Sequence, residues 1–250
     1  MPLPLRAGFW GLIAGSALLL GAAVGYFSHI SQRAIAAITA FGAGVLISAL
    51  AFELMDEAYR RSGFLAASIG FLGGSLAFTV ANVWINAKGA AHRKRSGDQQ
   101  MSEAKSPGSG LVLAVGALLD GIPESIAIGV SMLHGGKVSV VTVAAIFLSN
   151  VPEGISSSAG MKRAGRTRAY VFGIWGGIAF VSAVAAMLGY TLFANVSEAL
   201  VAATLAVAAG AILTMLADTM IPEAFEHAHD YAGLITVLGF LTAFVLSRLD

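Results

Sequence analysis

Cysteine is absent from the 250 residues, and charged residues make up only 12% of them. Without cysteine the chain can form no disulfide bond, no zinc–thiolate site and no cysteine nucleophile. Soluble domains carry about 25% charged residues, whereas 57% of this chain is hydrophobic and its mean hydropathy is +0.80. The formal net charge of +1 gives no reason to expect nucleic acid as a partner. Composition therefore predicts an integral membrane protein that contacts lipid.

The chain contains many long apolar segments. Each is close to the ~20 residues that a helix needs to span the hydrocarbon core, and because backbone polar groups in lipid must be satisfied within the segment, we expect helices. We place eight of them at about 8–27, 34–58, 64–86, 110–133, 138–160, 169–194, 198–221 and 231–247. The sequence thus predicts an all-α bundle of eight transmembrane helices, forming one domain over residues 1–250.

The basic residues indicate which side of the membrane each connection occupies. In an eight-span count, ten of the fifteen lie on one side: Arg33, Lys88, Arg93, Lys94, Arg95, Lys105, Lys162, Arg163, Arg166 and Arg168. Loops rich in Lys and Arg remain in the cytoplasm. We therefore expect a polar cytoplasmic loop at about 88–109 and both termini outside.

Four pairs of glycines four residues apart occur in three of the segments. Such pairs allow helices to approach closely, and we expect tight packing at each; they also permit a homodimer. The pairs are Gly11 with Gly15, Gly21 with Gly25, Gly70 with Gly74, and Gly173 with Gly177.

Two octapeptides resemble each other, LDGIPESI at 119–126 and LSNVPEGI at 148–155. In the fourth span, Asp120 and Glu124 are four residues apart and share a helix face. In the fifth span, Asn150 and Glu153 are three apart and also share a face, with Ser149 alongside. Each octapeptide therefore brings oxygen-bearing side chains to about the middle of a membrane span. Because consecutive spans run antiparallel, the two octapeptides also fit an inverted repeat within the bundle.

The prolines of the two motifs add a second kind of oxygen. Pro123 and Pro152 each remove an intrahelical hydrogen bond, which frees the carbonyl groups of Leu119 and Leu148. In lipid these carbonyls need another partner. Carboxylate, amide and carbonyl oxygens beside one another are suited to a cation.

A cation site has one structural alternative, in which the acids are protonated or paired and only hold helices together. No lysine or arginine lies in the middle of any span to pair with them. Two ionised carboxylates at mid-depth repel each other, and a bound divalent cation or shared protons would remove that conflict. Since ionisable residues inside membranes mark functional sites by default, we favour the ion site.

Further acids lie toward the ends of the second and seventh spans. The second ends in FELMDEA, which contains Glu53, Asp56 and Glu57. The seventh runs LADTMIPEAFEHAHD, with Asp218 and Glu223 followed by Glu226, His227, His229 and Asp230. These clusters would receive and release a cation at the two mouths. For Glu57, Glu226 and Asp230, a solvated helix end is an equally good interpretation.

Paired Pro-Glu motifs in the fourth and fifth of eight spans, with both termini outside, resemble the ZIP family of divalent metal transporters. That family typically has His-Asn-x-Pro-Glu-Gly in the fourth span and a polar–Asn/Asp-x-Pro-Glu-Gly motif in the fifth. Here the two read DGIPES and SNVPEG. FELMDEA and DTMIPEA also resemble the ends of the family's second and seventh spans, so the resemblance extends across the whole chain.

The resemblance implies a metal site between the fourth and fifth spans. Glu124 and Glu153 match the motif glutamates, Asp120 takes the usual histidine position, and Asn150 takes the Asn/Asp position. Two further residues match the family less closely. Ser149 stands where Gln or His is common, and Glu53 matches a position in the second span that can contribute a ligand to the metal. Two departures, Gly121 in place of Asn and the lack of a carboxylate in the sixth-span GIWGG, remove ligands of a second, bridged metal.

The expected function is uptake of a divalent transition metal into the cytoplasm, with the metal as substrate and no prosthetic group, in the inner membrane of a bacterium. Asp120 in place of histidine gives oxygen ligands, which favour Mn²⁺, whereas the resemblance favours Zn²⁺; Fe²⁺ and Cd²⁺ are further candidates. We expect no enzyme, because no histidine lies within a span and no HExxH occurs. The alternatives are a proton-coupled carrier of another solute and a membrane metal sensor that does not transport.

Overall fold

The structure is a computed structural model that describes residues 1–90, 109–133 and 136–249. Within these ranges the secondary structure is helical, with turns between helices and no strand. The predicted cytoplasmic loop at about 88–109 lies mostly outside the described residues, as do four of its basic side chains. The predicted all-helical class is confirmed for the described part of the chain.

In the part of the chain that the structure describes, nine α-helices follow one another, in places joined by π-helical turns. They are α1 Leu3–Phe27, α2 Gln32–Ala49, α3 Asp56–Ile85, α4 Ser109–Ser131, α5 Val140–Arg163, α6 Arg168–Phe193, α7 Glu198–Met215, α8 Ile221–Ala228 and α9 Ala232–Leu249. π-helical segments at Leu50–Met55 and Leu216–Met220 connect α2 to α3 and α7 to α8 without a loop.

Among the described residues, six helices are long and apolar enough to span a membrane. Four of them correspond to single predicted segments, namely the first, fourth, fifth and sixth. The predicted second and third segments are joined in one helix, Gln32–Lys88, and the last two are joined in Glu198–Arg248. The long apolar helices are consistent with an integral membrane protein.

Each of the two joined helices is interrupted by a residue with positive φ. Gly63 has φ 73° and ψ 176°, a conformation that is essentially restricted to glycine. His229 has φ 43° and ψ −120° at the end of α8. The backbone therefore bends at these two positions although the hydrogen-bonded helix pattern continues nearby.

Serine and threonine side chains fix where several helices begin. Ser31, Ser139, Thr167 and Ser197 precede α2, α5, α6 and α7, and each side-chain oxygen accepts a hydrogen bond from the backbone N–H three residues on. Such a cap stabilises a helix by about 0.5–2 kcal/mol relative to alanine. All four starts agree with the predicted segments within two residues, with α2 two residues early and α5 two residues late.

Glycines allow the helix backbones to touch. A Cβ added at Gly74 of α3 would overlap the carbonyl oxygen of Val207 of α7, and one at Gly21 of α1 would overlap that of Val151 of α5. The glycine pairs of α1 and α3 thus pack as predicted. The prediction was wrong for Gly173 and Gly177, which have no other atom in reach of an added Cβ; they lie on the outer side of α6.

Among the described residues, four of the five helix pairs that pack most extensively run in the same direction. Gly70 of α3 contacts Ala203 of α7, and four residues on Gly74 contacts Val207. The same parallel advance joins α1 to α5, α2 to α9 and α4 to α6, whereas α1 is antiparallel to α6. Helix α5 lies at the centre, with 72% of its most apolar 18-residue window buried, compared with 33% for α6. The bundle interior therefore surrounds the second Pro-Glu motif.

Candidate functional site

The two Pro-Glu motifs lie inside α4 and α5, and both helices continue through their prolines, Pro123 and Pro152. The freed carbonyl of Leu148 lies against α2, where a Cβ added at Gly42 would be 3.4 Å from its oxygen and 3.3 Å from Pro152 Cγ. The carbonyl expected to face a cation is thus covered by the backbone of a neighbouring helix.

All five side chains predicted at the central site are buried. Asp120 and Glu124 are each 3% exposed, Asn150 is 6% exposed, Glu153 9% and Ser149 2%. Burying a charged group is costly unless it is paired, neutralised or bound to a metal. Neither α4 nor the interior of α5 contains lysine or arginine, because the basic residues of α5 are at its last turn. The motifs therefore concentrate acid in the interior of the bundle.

Asn150 is oriented by α1. Its Nδ2 atom donates a hydrogen bond of 3.0 Å to the carbonyl oxygen of Ala14. Since the amide nitrogen is engaged in this way, the amide oxygen is the atom of Asn150 that can accept a proton donor or bind a cation. The hydroxyl of Ser149 donates to the Ile146 carbonyl at 2.9 Å, and its oxygen keeps the capacity to bind.

Glu53 lies at one end of α5 rather than beside the motif. Ser139, the residue that caps α5, donates from Oγ to Glu53 Oε2 at 3.0 Å. Asn150 is eleven residues further along the sequence, which is ~16 Å along a helix. The structure therefore separates Glu53 from the four residues around mid-depth on α4 and α5.

A cavity of about 500 Å³ opens beside Glu53. Its lining includes the predicted mouth residues Asp56 and Glu57, and also the arginines Arg60, Arg61 and Arg248. Arg60 forms an ion pair of 2.7 Å with Asp56, and Arg61 is paired with Glu57. Arg61 also reaches Glu198 on α7 at 2.6 Å. This mouth, which we call the Glu53 cavity, carries both signs of charge.

The arginines were not among the predicted site residues. A signal for them was present, since Asp56 with Arg60 and Glu57 with Arg61 have the i, i+4 spacing of helical ion pairs. The bond to Glu198 had no such signal because it joins residues 137 apart.

At the other end, the structure brings Glu223 into the interior. Glu223 is 3% exposed, and the hydroxyl of Ser156 on α5 donates a hydrogen bond to its Oε1. Ser156 is three residues from Glu153 and shares its helix face. Asp218 accepts a hydrogen bond of 3.4 Å from Nδ2 of Asn82 on α3. The two predicted release residues thus contact two different helices, and sequence reasoning identified neither Ser156 nor Asn82.

Among the described residues, no three Asp, Glu or His side chains are grouped closely enough to hold a metal ion by themselves. The predicted ligand set on α4 and α5 is not made of carboxylates alone, since Asn150 and Ser149 contribute amide and hydroxyl oxygens. No protein-family model matches the chain, and no curated protein matches it.

Proposed function

We propose that the protein transports divalent transition-metal cations across a membrane, in the manner of the ZIP family that its motifs resemble. The observation that carries the proposal is the burial of Asp120, Glu124, Asn150 and Glu153 on α4 and α5, in helices whose interiors contain no cationic side chain. The side-chain oxygens of these four residues are suited to Zn²⁺ or Mn²⁺. Fe²⁺ and Cd²⁺ are further substrates to test.

Eight membrane crossings fit the chain better than six. The helices Gln32–Lys88 and Glu198–Arg248 have 57 and 51 residues, which corresponds to ~75–85 Å, more than twice the ~30 Å of hydrocarbon. Gly63 and His229 provide a bend in each. We therefore divide each long helix into two crossings.

Contacts along the chain support a reversal within the helix Gln32–Lys88. Its first residue, Gln32, lines a cavity together with Lys162 and Arg163 at the end of α5. Glu53 is bonded to Ser139 at the start of α5. Asn82, later in the same long helix, is bonded to Asp218, and Glu223, five residues beyond Asp218, contacts Ser156 near the end of α5. The chain thus passes from one end of α5 to the other between residues 53 and 82.

With eight crossings, Lys88 after the end of α3, the basic last turn of α5 and the start of α6 at Arg168 share one side of the membrane. The positive-inside rule assigns this side to the cytoplasm. Both termini and the Glu53 cavity then lie outside. We propose the inner membrane of a bacterium as the location.

The proposed route begins at the Glu53 cavity, where the cation would replace the arginines that pair with Asp56 and Glu57. The cation then binds between α4 and α5 and leaves past Glu223 and Asp218. The Ser156–Glu223 pair supports this direction, because it continues the polar face of α5 by one turn beyond Glu153. Uptake through a central site of this kind is compatible with alternating access.

Metal flux into proteoliposomes tests the proposal. Glu124→Gln and Glu153→Gln keep the side-chain size but remove the charge, and we expect each to reduce Zn²⁺ and Mn²⁺ flux by at least about tenfold. Asp230→Asn, an exposed acid at the end of α8, is the control and should retain full flux.

Undiminished flux in the Glu124→Gln/Glu153→Gln double variant would overturn the site. Two other readouts separate the competing functions. Proton flux without metal would favour a proton-coupled carrier of another solute, and metal binding in detergent without flux would favour a sensor.

A further inference from the structure

A second cavity, of about 510 Å³, lies at the opposite end of the bundle from the Glu53 cavity. It is formed where α1 ends, α2 begins and α5 ends, and we call it the Lys162 cavity. Its lining includes Ser28, His29, Ser31, Lys162 and Arg163. The cavity therefore joins the α1–α2 connection to the last turn of the helix that carries the second Pro-Glu motif.

The charged side chains that line the Lys162 cavity are basic. Among the described residues of its lining, these are Lys162 and Arg163. Helix α2 begins at the cavity with Ser31 as its cap and has no acid in its first turn. The beginning of a helix carries a partial positive charge, which adds to the two side-chain cations. These positive charges favour an anion as the ligand of the cavity.

Cations and aromatic rings lie at the same level as the cavity. Lys162 Nζ donates to the Tyr26 carbonyl at 2.7 Å and is 5.5 Å from the Tyr26 ring centroid. Arg168 lies 5.3 Å from the Phe27 ring centroid. Aromatic residues with neighbouring Lys and Arg are typical of the depth of the lipid headgroups. The Lys162 cavity is therefore at the height of a phosphate layer.

We propose that the Lys162 cavity binds the phosphate group of an anionic phospholipid in the leaflet on that side. The guanidinium of Arg163 matches a phosphate in two parallel hydrogen bonds, and Lys162 acts as a point charge beside it. The volume suits a headgroup, since ligand pockets measure about 300–1,000 Å³. The proposal rests on the transmembrane arrangement and is independent of metal transport, so either can fail alone.

The test compares lipid binding by the full-length protein in nanodiscs of phosphatidylcholine with and without phosphatidylglycerol. In Lys162→Gln/Arg163→Gln we expect about 30-fold weaker binding of phosphatidylglycerol, because the loss of each direct hydrogen bond to the lipid phosphate weakens binding by about fivefold. The matched control is Lys88→Gln/Arg168→Gln, which removes one Lys and one Arg on the same side but outside the cavity lining. This control should lose less than about threefold.

Equal losses in the two double variants would overturn the proposal, since they would indicate general attraction to an anionic surface. Inorganic phosphate, added to protein in phosphatidylcholine alone, is the second arm. Inorganic phosphate is added at the concentration at which phosphatidylglycerol saturates the site. If it then competes with the lipid, the natural ligand is soluble phosphate, and the assignment to lipid is overturned.

Lys162 also bonds to the Tyr26 carbonyl, so its loss can affect folding. Arg163→Gln leaves that bond in place and is measured alongside. A fivefold loss in this single variant, with an unchanged melting temperature in phosphatidylcholine, supports the site, and an unchanged affinity contradicts it.

Discussion

Asn150, Ser156 and Ser158 of α5 each bond to a different neighbouring helix. Asn150 donates to Ala14 of α1, and Ser156 donates to Glu223 of α8. Ser158 accepts a hydrogen bond of 2.8 Å from Nε1 of Trp175 on α6. Interhelical hydrogen bonds in membranes stabilise by about 0.6 kcal/mol on average and up to about 1.7. Besides adding to stability, these bonds fix the position of α5 relative to α1, α6 and α8.

Removing one of these hydroxyls should weaken the fold measurably. Ser156→Ala leaves the buried Glu223 carboxylate without this donor, and we expect a loss of about 0.5–1.5 kcal/mol and a melting temperature lower by about 2–4 °C in detergent. Ser16→Ala is the control, because the Ser16 hydroxyl bonds only to the Ile13 carbonyl of its own helix in the bonds that the structure gives it. Equal shifts in the two variants would contradict an interhelical role.

The central candidate residues could be identified from the sequence because each motif places them at local spacings, i, i+3 and i, i+4. Their burial agrees with that identification, while their metal binding stays a prediction. The Ser156–Glu223 and Asn82–Asp218 pairs could not be identified in this way. They join residues 67 and 136 apart, and only the arrangement of the helices brings these side chains together.

At the scale of helices, adjacent glycines differ in what surrounds them. Gly74 of α3 lies against the backbone of Val207, whereas Gly73 has no atom in reach of an added Cβ. Backbone atoms cannot move aside as a flexible side chain can. The α3–α7 contact therefore depends on one glycine of the two.

Alanine substitution should separate the two positions. We expect Gly74→Ala to destabilise by about 1–3 kcal/mol through overpacking. Gly73→Ala should be neutral or stabilise by up to about 1 kcal/mol, because alanine is the better helix former. Thermal unfolding monitored by circular dichroism measures both, and a similar loss in both variants would show that the α3–α7 packing described above is incorrect.

Helix positions were largely predictable, because long apolar runs reveal where a span lies. The interruptions were not. Neither the π-helical segments Leu50–Met55 and Leu216–Met220 nor the left-handed conformation of His229 has a pattern in the hydropathy. Glycine pairs likewise predict close packing only if a neighbouring helix is present, which is why Gly173 and Gly177 differ from the others.

At the scale of the molecule, six and eight crossings predict different sides for the same residues. If Gln32–Lys88 crosses once, His29 and Lys88 lie on opposite sides; if it crosses twice, they lie on the same side. Both side chains are exposed. The lack of native cysteine makes the test free of background labelling.

We expect His29→Cys and Lys88→Cys to react with a membrane-impermeant maleimide only from the cytoplasmic side of sealed vesicles. Arg60→Cys, on the exposed start of α3, should react only from the outside. Its surface ion pair with Asp56 contributes little to stability. Labelling of His29→Cys and Lys88→Cys from opposite sides would contradict eight crossings.

Helix α5 is held at two levels by the same chemistry, a hydroxyl that donates to a carboxylate of another helix. Ser139 does so to Glu53 at the start of α5, and Ser156 does so to Glu223 about two turns before its end. A divalent cation arriving at either carboxylate competes with that hydroxyl for an oxygen lone pair. In a transporter, a cation bound at one of the two carboxylates would break the hydrogen bond to α5 at that level. The other hydroxyl–carboxylate bond would remain and keep α5 in position there.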